Sequence, residues 1–174
     1  MEPKADRRAV VTALGLTQIF SWGSSYYLPA VLAKSIAEET GWPLTSIVGG
    51  LSVGLLVSGL ISPRVGLAVE RHGGRPILAI SAVLLSLGLA GLGLAQNITF
   101  YICAWVLLGI GMGMGLYDPA FATLGRLYGR DARSAIAALT LFGGLASTIC
   151  WPLSAFLVSE FGWRGACQLY AAFH

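Results

Sequence analysis

Between Glu39 and Arg64 the chain carries no formal charge, and after Arg75 the next one is Asp118. Each of these stretches exceeds the roughly 20 apolar residues that a helix needs to cross a bilayer. A water-facing helix of that length would need a polar side, and neither stretch has one. Between them lies Gly66 to Pro76, GLAVERHGGRP, a short charged segment that reads as a cytoplasmic turn joining two spans. The composition agrees: 56% of residues are hydrophobic and 11% charged, whereas a soluble domain carries about twice that charged fraction. The 23 glycines would weaken helices in water, but in lipid small residues let backbones approach closely. The expected class is an all-α membrane protein whose main partner is the lipid bilayer.

Charge-free intervals predict spans over about 9–33, 43–63, 76–95, 98–125 and 134–158, with a sixth, 165–174, incomplete after about ten residues. Residues 1–8 form a polar N-terminal segment, and the first span lacks a small-residue cleavage site, so it is expected to be retained. Thr40-Gly41-Trp42-Pro43 sets a proline at the start of the second helix, Pro63 and Gly66 are expected to end it, and Gln96-Asn97 forms a polar hairpin.

Lys and Arg collect in cytoplasmic loops. With the N-terminus inside, Lys4, Arg7, Arg8, Arg64, Arg71, Arg75, Arg126, Arg130 and Arg133 fall inside, while Lys34 and Arg164 fall outside. This places the N-terminus in the cytoplasm and explains the net charge of +3 without a nucleic-acid partner. Trp42 and Trp163 fall at the outer boundary, where amphipathic rings are favoured.

Cys103, Cys150 and Cys167 lie in apolar stretches without paired spacing, which implies packing and no metal or disulfide framework. The histidines, His72 and His174, sit in a turn and at the terminus, and no nucleophile, base and acid can be grouped, so neither an enzyme nor a cofactor is expected.

The segment Gly66-Leu67-Ala68-Val69-Glu70-Arg71-His72-Gly73-Gly74-Arg75 resembles the signature between the second and third helices of the major facilitator superfamily. Glu70 stands where that signature usually has aspartate, and Gly74 where it often has a base. The glycines Gly109, Gly111, Gly113 and Gly115, then Tyr117-Asp118-Pro119-Ala120, the basic loop ending at Arg133, and Phe161-Gly162-Trp163-Arg164-Gly165 look like the monocarboxylate and oxalate/formate-type branches. Two family features are absent. Trp105 or Leu107 replaces a mid-membrane arginine, and Trp151-Pro152 replaces the Gly-Pro of drug antiporters. The resemblance implies the N-terminal six-helix half of a twelve-helix secondary transporter in the plasma or bacterial inner membrane, alternating access, a missing C-terminal half as partner, and a small organic anion such as a monocarboxylate as solute. A drug exporter of the same superfamily, or an inactive truncated fragment, are the alternatives. His72-Gly73-Gly74-Arg75 and Phe161-Gly162-Trp163-Arg164 repeat glycine and arginine at an offset of 89 residues, and the three intervening spans make the two units inverted, a 3+3 repeat.

Gln18, Ser21, Trp22, Ser25 and Tyr26 share one face of the first helix by their spacing, and Ser147 and Trp151 belong to a similar stripe on the fifth. The two stripes either line one solute cavity or serve helix packing. Gly66, Glu70, Arg71, Gly73 and Arg75 read either as a conformational latch or as ordinary cytoplasmic anchors, with the arginines gripping carboxylates or helix C-terminal carbonyls in the first case. Asp118 is the one acid within a span. It lies about 30 Å along the fourth helix at 1.5 Å per residue, and serves either a coupling proton or structural bracing. In the glycine ladder, Gly109 and Gly113 face one way and Gly111 and Gly115 the other, so two neighbours can approach this helix.

Overall fold

The computed structural model describes residues 7–174. The predicted cytoplasmic segment falls largely on residues 1–6, including Lys4, which lie outside the described residues. The elements are α1 (Arg7–Ser24), α2 (Leu28–Thr40), α3 (Leu44–His72), α4 (Gly74–Leu94), α5 (Ile98–Gly115), α6 (Tyr117–Tyr128), a 3₁₀ turn (Gly129–Asp131), α7 (Ala132–Gly144) and α8 (Ala146–Phe173). No strand occurs among the described residues, so the fold is all-α as expected. It is the all-α half-fold that the sequence implies. By length and composition α3 and α4 are each able to cross a membrane as single helices, and the helical run from Ile98 to Phe173 contains a stretch apolar enough to cross.

The first and fourth spans are each built from two helices joined at a break. In the first, the Tyr27 amide donates to the Trp22 carbonyl at 3.0 Å, a wider turn than an α-helix makes, and Pro29 follows at the start of α2. In the fourth, Leu116 takes an extended conformation between α5 and α6, and Pro119 follows in the first turn of α6. Asn97 caps α5, its side-chain oxygen accepting from the Phe100 amide at 2.8 Å.

The second span differs from expectation. Pro63 does not end it: α3 runs through Pro63 and Gly66 as one helix of 29 residues to His72. Most of the segment read as a turn is therefore helix. Proline removes one amide donor and strains its own turn, but the apolar surroundings leave no better partner for the remaining backbone groups, so the helix resumes. The reversal takes place at Gly73 alone, with φ 85 and ψ 164, a conformation that only glycine adopts readily. Gly74 does a different job. A Cβ there would strike the Thr123 side chain, so α4 starts in contact with α6.

At the other end of the molecule α8 bends at Gly162 (φ 67, ψ 172), separating the fifth span from the sixth. Gly41 (φ 70) ends α2, and Gly129 (φ 54) ends α6. The four positive-φ glycines thus mark four reversals of the chain. Gly41 and Gly129 stand 88 residues apart and Gly73 and Gly162 stand 89 apart, as do the in-helix prolines Pro63 and Pro152.

The helix α5 is held between α3 and α4, and its glycines face them in the predicted alternation. Gly109 lies on the Gly54 backbone and Gly113 on Ile61 and the Ser58 carbonyl, both of α3. Gly111 lies on Leu85 and Gly115 on Ser81, both of α4. The indole of Trp105 fills the notch left by Gly50 and Gly54 and is a buried packing group. Trp105, Leu85, Leu89, Tyr101, Leu108, Trp163 and Tyr170 form the largest apolar cluster.

Candidate functional site: a cavity at the helix breaks

Where α1 and the α5–α6 break come together with the middle of α3, the chain leaves an open cavity of about 620 Å³. Its wall includes Trp22, Tyr26, Ser58, Ser62, Pro63, Met112, Tyr117 and Asp118. The helix breaks create this space, because an unbroken fourth span would carry Tyr117 and Asp118 past it.

Gln18 fixes the wall. Buried and 1% exposed, it donates from Nε2 to the Gly115 carbonyl at 2.7 Å and accepts from Trp22 Nε1 at 3.0 Å. One side chain thus satisfies a carbonyl freed by the break and orients the indole, which matters because buried polar groups left without partners are costly. Trp22 then anchors an aromatic group: its ring centroid lies 4.9 Å from that of Tyr117 and 5.3 Å from that of Tyr26, and Tyr117 stacks on Phe121 at 5.0 Å. Asp118 is exposed in the first turn of α6, where the helix dipole favours a carboxylate.

Trp22, Tyr26 and Asp118 meet at this cavity, with Gln18 behind them. Ser21 faces a separate hollow of about 370 Å³ with Ser81, Gly115 and His174, and Ser25 donates to the Ser21 carbonyl of its own helix. Ser147 and Trp151 are absent from the cavity wall, and Trp151 is 49% exposed on the outer surface of α8. α1 meets α7 and α8 through small-residue contacts, Gly15 against Phe142 and Gly23 against Cys150. Tyr117 and Met112 escape a reading by stripes because each comes from a different helix, whereas Ser58 and Ser62 stand at i, i+4 on α3, a spacing that puts them on one face. The one available signal for Tyr117 is its place beside Asp118-Pro119, a composition suited to a helix start.

At the predicted cytoplasmic end, Glu70, Arg71 and Arg75 are exposed, and no hydrogen bond or ion pair reaches their side chains among the described residues. Gly66 lies inside α3 with open space around it, and Gly73 makes the turn. The arginine that grips helix C-terminal carbonyls is Arg126 of α6, which donates to the Val69 carbonyl at 2.9 Å and also to that of Glu70. Arg126 is thereby committed to α3 and forms no ion pair with Asp118. At the opposite end Arg164 donates to the carbonyls of Gly93 (3.1 Å) and Ala95 (2.6 Å) and to Glu39 at 2.9 Å, with its guanidinium 4.2 Å from the Trp163 ring centroid.

Comparison with known proteins adds sequence evidence to this geometry. Residues 14–173 match the sequence profile of the Major Facilitator Superfamily. Monocarboxylate transporter 11 of Mus musculus is 34% identical over 137 residues, covering 78% of this chain and 29% of that protein. Monocarboxylate transporter 14 of Homo sapiens is 30% identical over 130 residues, covering 74% and 25%. A protein of Thermoproteus tenax described as an uncharacterized 38 kDa protein in the 23S RNA operon is 32% identical over 149 residues, covering 85% and 39%. The matched part of this chain thus spans 25% to 39% of the length of these relatives.

Proposed function

The chain belongs to the major facilitator superfamily, and on that premise we propose that it forms the N-terminal half of a secondary transporter carrying a small organic anion, a monocarboxylate, across the plasma membrane. The observation that carries this reading is the open cavity bounded by Trp22, Tyr26, Tyr117 and Asp118 at the two helix breaks. Cavities of 300 to 1,000 Å³ with few polar groups suit small ligands, and about 620 Å³ falls in that range. The likeness to monocarboxylate transporters supports the solute class. A second six-helix half closes the other side of the cavity, and rocking of the halves exposes it alternately to each face of the membrane. The arginine bias sets the N-terminus in the cytoplasm of a cell bounded by a bacterial inner or a plasma membrane.

Two further roles belong to this reading. Glu70, Arg71 and Arg75, exposed at the Gly73 reversal, act as the latch by engaging helix ends of the second half in one conformation. Asp118, the acid on the cavity wall, carries the coupling proton.

The test is uptake of labelled propionate into proteoliposomes holding the full-length gene product. Saturable uptake that responds to an imposed pH gradient, with the response lost in Asp118→Asn, is expected. Absence of saturable uptake sinks the transport reading, and an unaltered response in Asp118→Asn sinks the coupling role.

A further inference from the structure

We propose that the Trp22, Tyr26, Tyr117 and Asp118 face of the cavity binds the positively charged, ammonium-type group of the solute, so that the class carried is a small carboxylate that also bears a cationic nitrogen. The inference rests on the transport reading above and specifies its substrate.

The charge balance of the wall is the first ground. Asp118 lines the cavity, and no lysine, arginine or histidine is among the lining residues. Arg126, on the same helix as Asp118, is engaged on the α3 carbonyls. A solute carrying only a carboxylate meets like charge on this wall. A cation meets attraction, and it is stronger in a cavity walled by protein than in bulk water.

The aromatic geometry is the second ground. Trp22 is surrounded at 4.9 to 6.3 Å by the rings of Tyr117, Tyr26 and Tyr27, and three of these four rings line the same cavity as Asp118. The indole N–H of Trp22 is already taken by Gln18, so toward a solute the ring offers aromatic surface and no donor. The ring faces are poor at holding a carboxylate, which needs N–H or O–H donors. The hydroxyls on this wall, those of Tyr26, Ser58 and Ser62 among them, are neutral donors that do not offset the charge of Asp118. A quaternary or protonated amine suits the rings well, because the negative ring face attracts it. The carboxylate of the solute then points away from this wall, toward the side of the cavity that this half leaves open.

A pair of isosteric probes separates the subsite from transport in general. Trimethylammonioacetate and 3,3-dimethylbutyrate have the same shape and carboxylate, and differ in a charged nitrogen against a neutral carbon. In proteoliposomes with the full-length protein, kcat/KM is expected to favour the ammonium compound about tenfold or more. The ratio should fall several-fold in Asp118→Asn, persist in Asp118→Glu, and fall in Trp22→Leu, which reads the aromatic part should the Asp118 variants not reach the membrane. Saturable flux of the isostere with a ratio at or below one overturns the subsite and leaves the transport reading standing. A ratio unchanged in both Asp118→Asn and Trp22→Leu also overturns it. Saturable flux of neither probe, with none of propionate, removes the transport reading and the subsite with it.

Discussion

Gly73 and Gly162, 89 residues apart, hold nearly the same backbone conformation, φ 85 and ψ 164 against φ 67 and ψ 172. Each reverses the chain between two spans and is followed two residues later by an arginine, Arg75 or Arg164. The match in dihedral angles supports a repeat that a few shared letters only suggest, since this region of φ/ψ space is nearly closed to residues with a side chain beyond hydrogen.

Replacing either hinge glycine by alanine should therefore destabilise the chain by about 1–3 kcal/mol, and by similar amounts at the two sites. Gly66→Ala is the control: Gly66 sits in ordinary helix with open space at its Cβ, and alanine there should be neutral or stabilise by up to about 1 kcal/mol. Reversible unfolding in mixed micelles measures all three. Equal tolerance at Gly66 and Gly73 would show that the turn is not fixed by backbone strain.

Arg126 should matter more to stability than Arg71 and Arg75, which are exposed like it but make no side-chain hydrogen bond or ion pair among the described residues. It places a cation on the Val69 and Glu70 carbonyls at the end of α3, where the helix dipole favours it, and the Val69 carbonyl also accepts from the Gly73 amide. Arg126→Ala should cost about 1–2 kcal/mol and speed hydrogen exchange in the last turn of α3, while Arg71→Ala stays within about 0.5 kcal/mol. An unchanged exchange rate in Arg126→Ala would show that the contact does not hold the two helices together.

Much of this arrangement is legible in the residues. Charge-free intervals mark the long apolar stretches, and spacing alone tells that Gly109 and Gly113 face opposite to Gly111 and Gly115, as their contacts with α3 and α4 bear out. The helix ends are less so. Pro63 and Gly66 read as a stop because their effect in water is to break helices, but in lipid the backbone has no competing solvent and the helix continues to Gly73. The site was half legible: periodicity finds Gln18, Trp22 and Tyr26 on one helix, but it cannot say which neighbour that face meets. That face meets the α5–α6 break, and Ser147 and Trp151 are not among the residues on the cavity wall.

The close approach of α3 and α5 makes a graded prediction for glycine. At Gly109 a Cβ would lie 2.9 Å from Gly54 Cα and 3.0 Å from its carbonyl carbon, and backbone atoms cannot swing aside. Gly109→Ala should cost about 1–3 kcal/mol through overpacking. At Gly91 the nearest atom is Ala104 Cβ at 3.3 Å, so Gly91→Ala needs a shift of a few tenths of an ångström and should cost less than half as much. At Gly49 nothing lies within 4 Å, and alanine should stabilise slightly through helix propensity. The order Gly109, Gly91, Gly49 in thermal stability checks the packing, and a reversed order would contradict it.

Arg164 joins three chain segments at the predicted outer face, and its parts can be weighed separately. The ion pair with Glu39 joins side chains 35% and 51% exposed, so solvent and salt screen it and Glu39→Gln should cost at most about 1 kcal/mol. The bonds to the Gly93 and Ala95 carbonyls are partly buried and charge-assisted, and the guanidinium also covers the Trp163 ring. Losing these together in Arg164→Ala should cost about 2–4 kcal/mol. Lysine cannot span both carbonyls and the ring with a planar fork, so Arg164→Lys should recover less than half of the loss. Unfolding at low and high salt separates the contributions: the Glu39→Gln effect should shrink toward zero at about 1 M salt, where the Debye length is about 3 Å, while most of the Arg164→Ala effect remains. An Arg164→Ala loss that vanishes with salt would assign the contact to surface charge and remove the carbonyl clamp as the tie between α2, α4 and the sixth span.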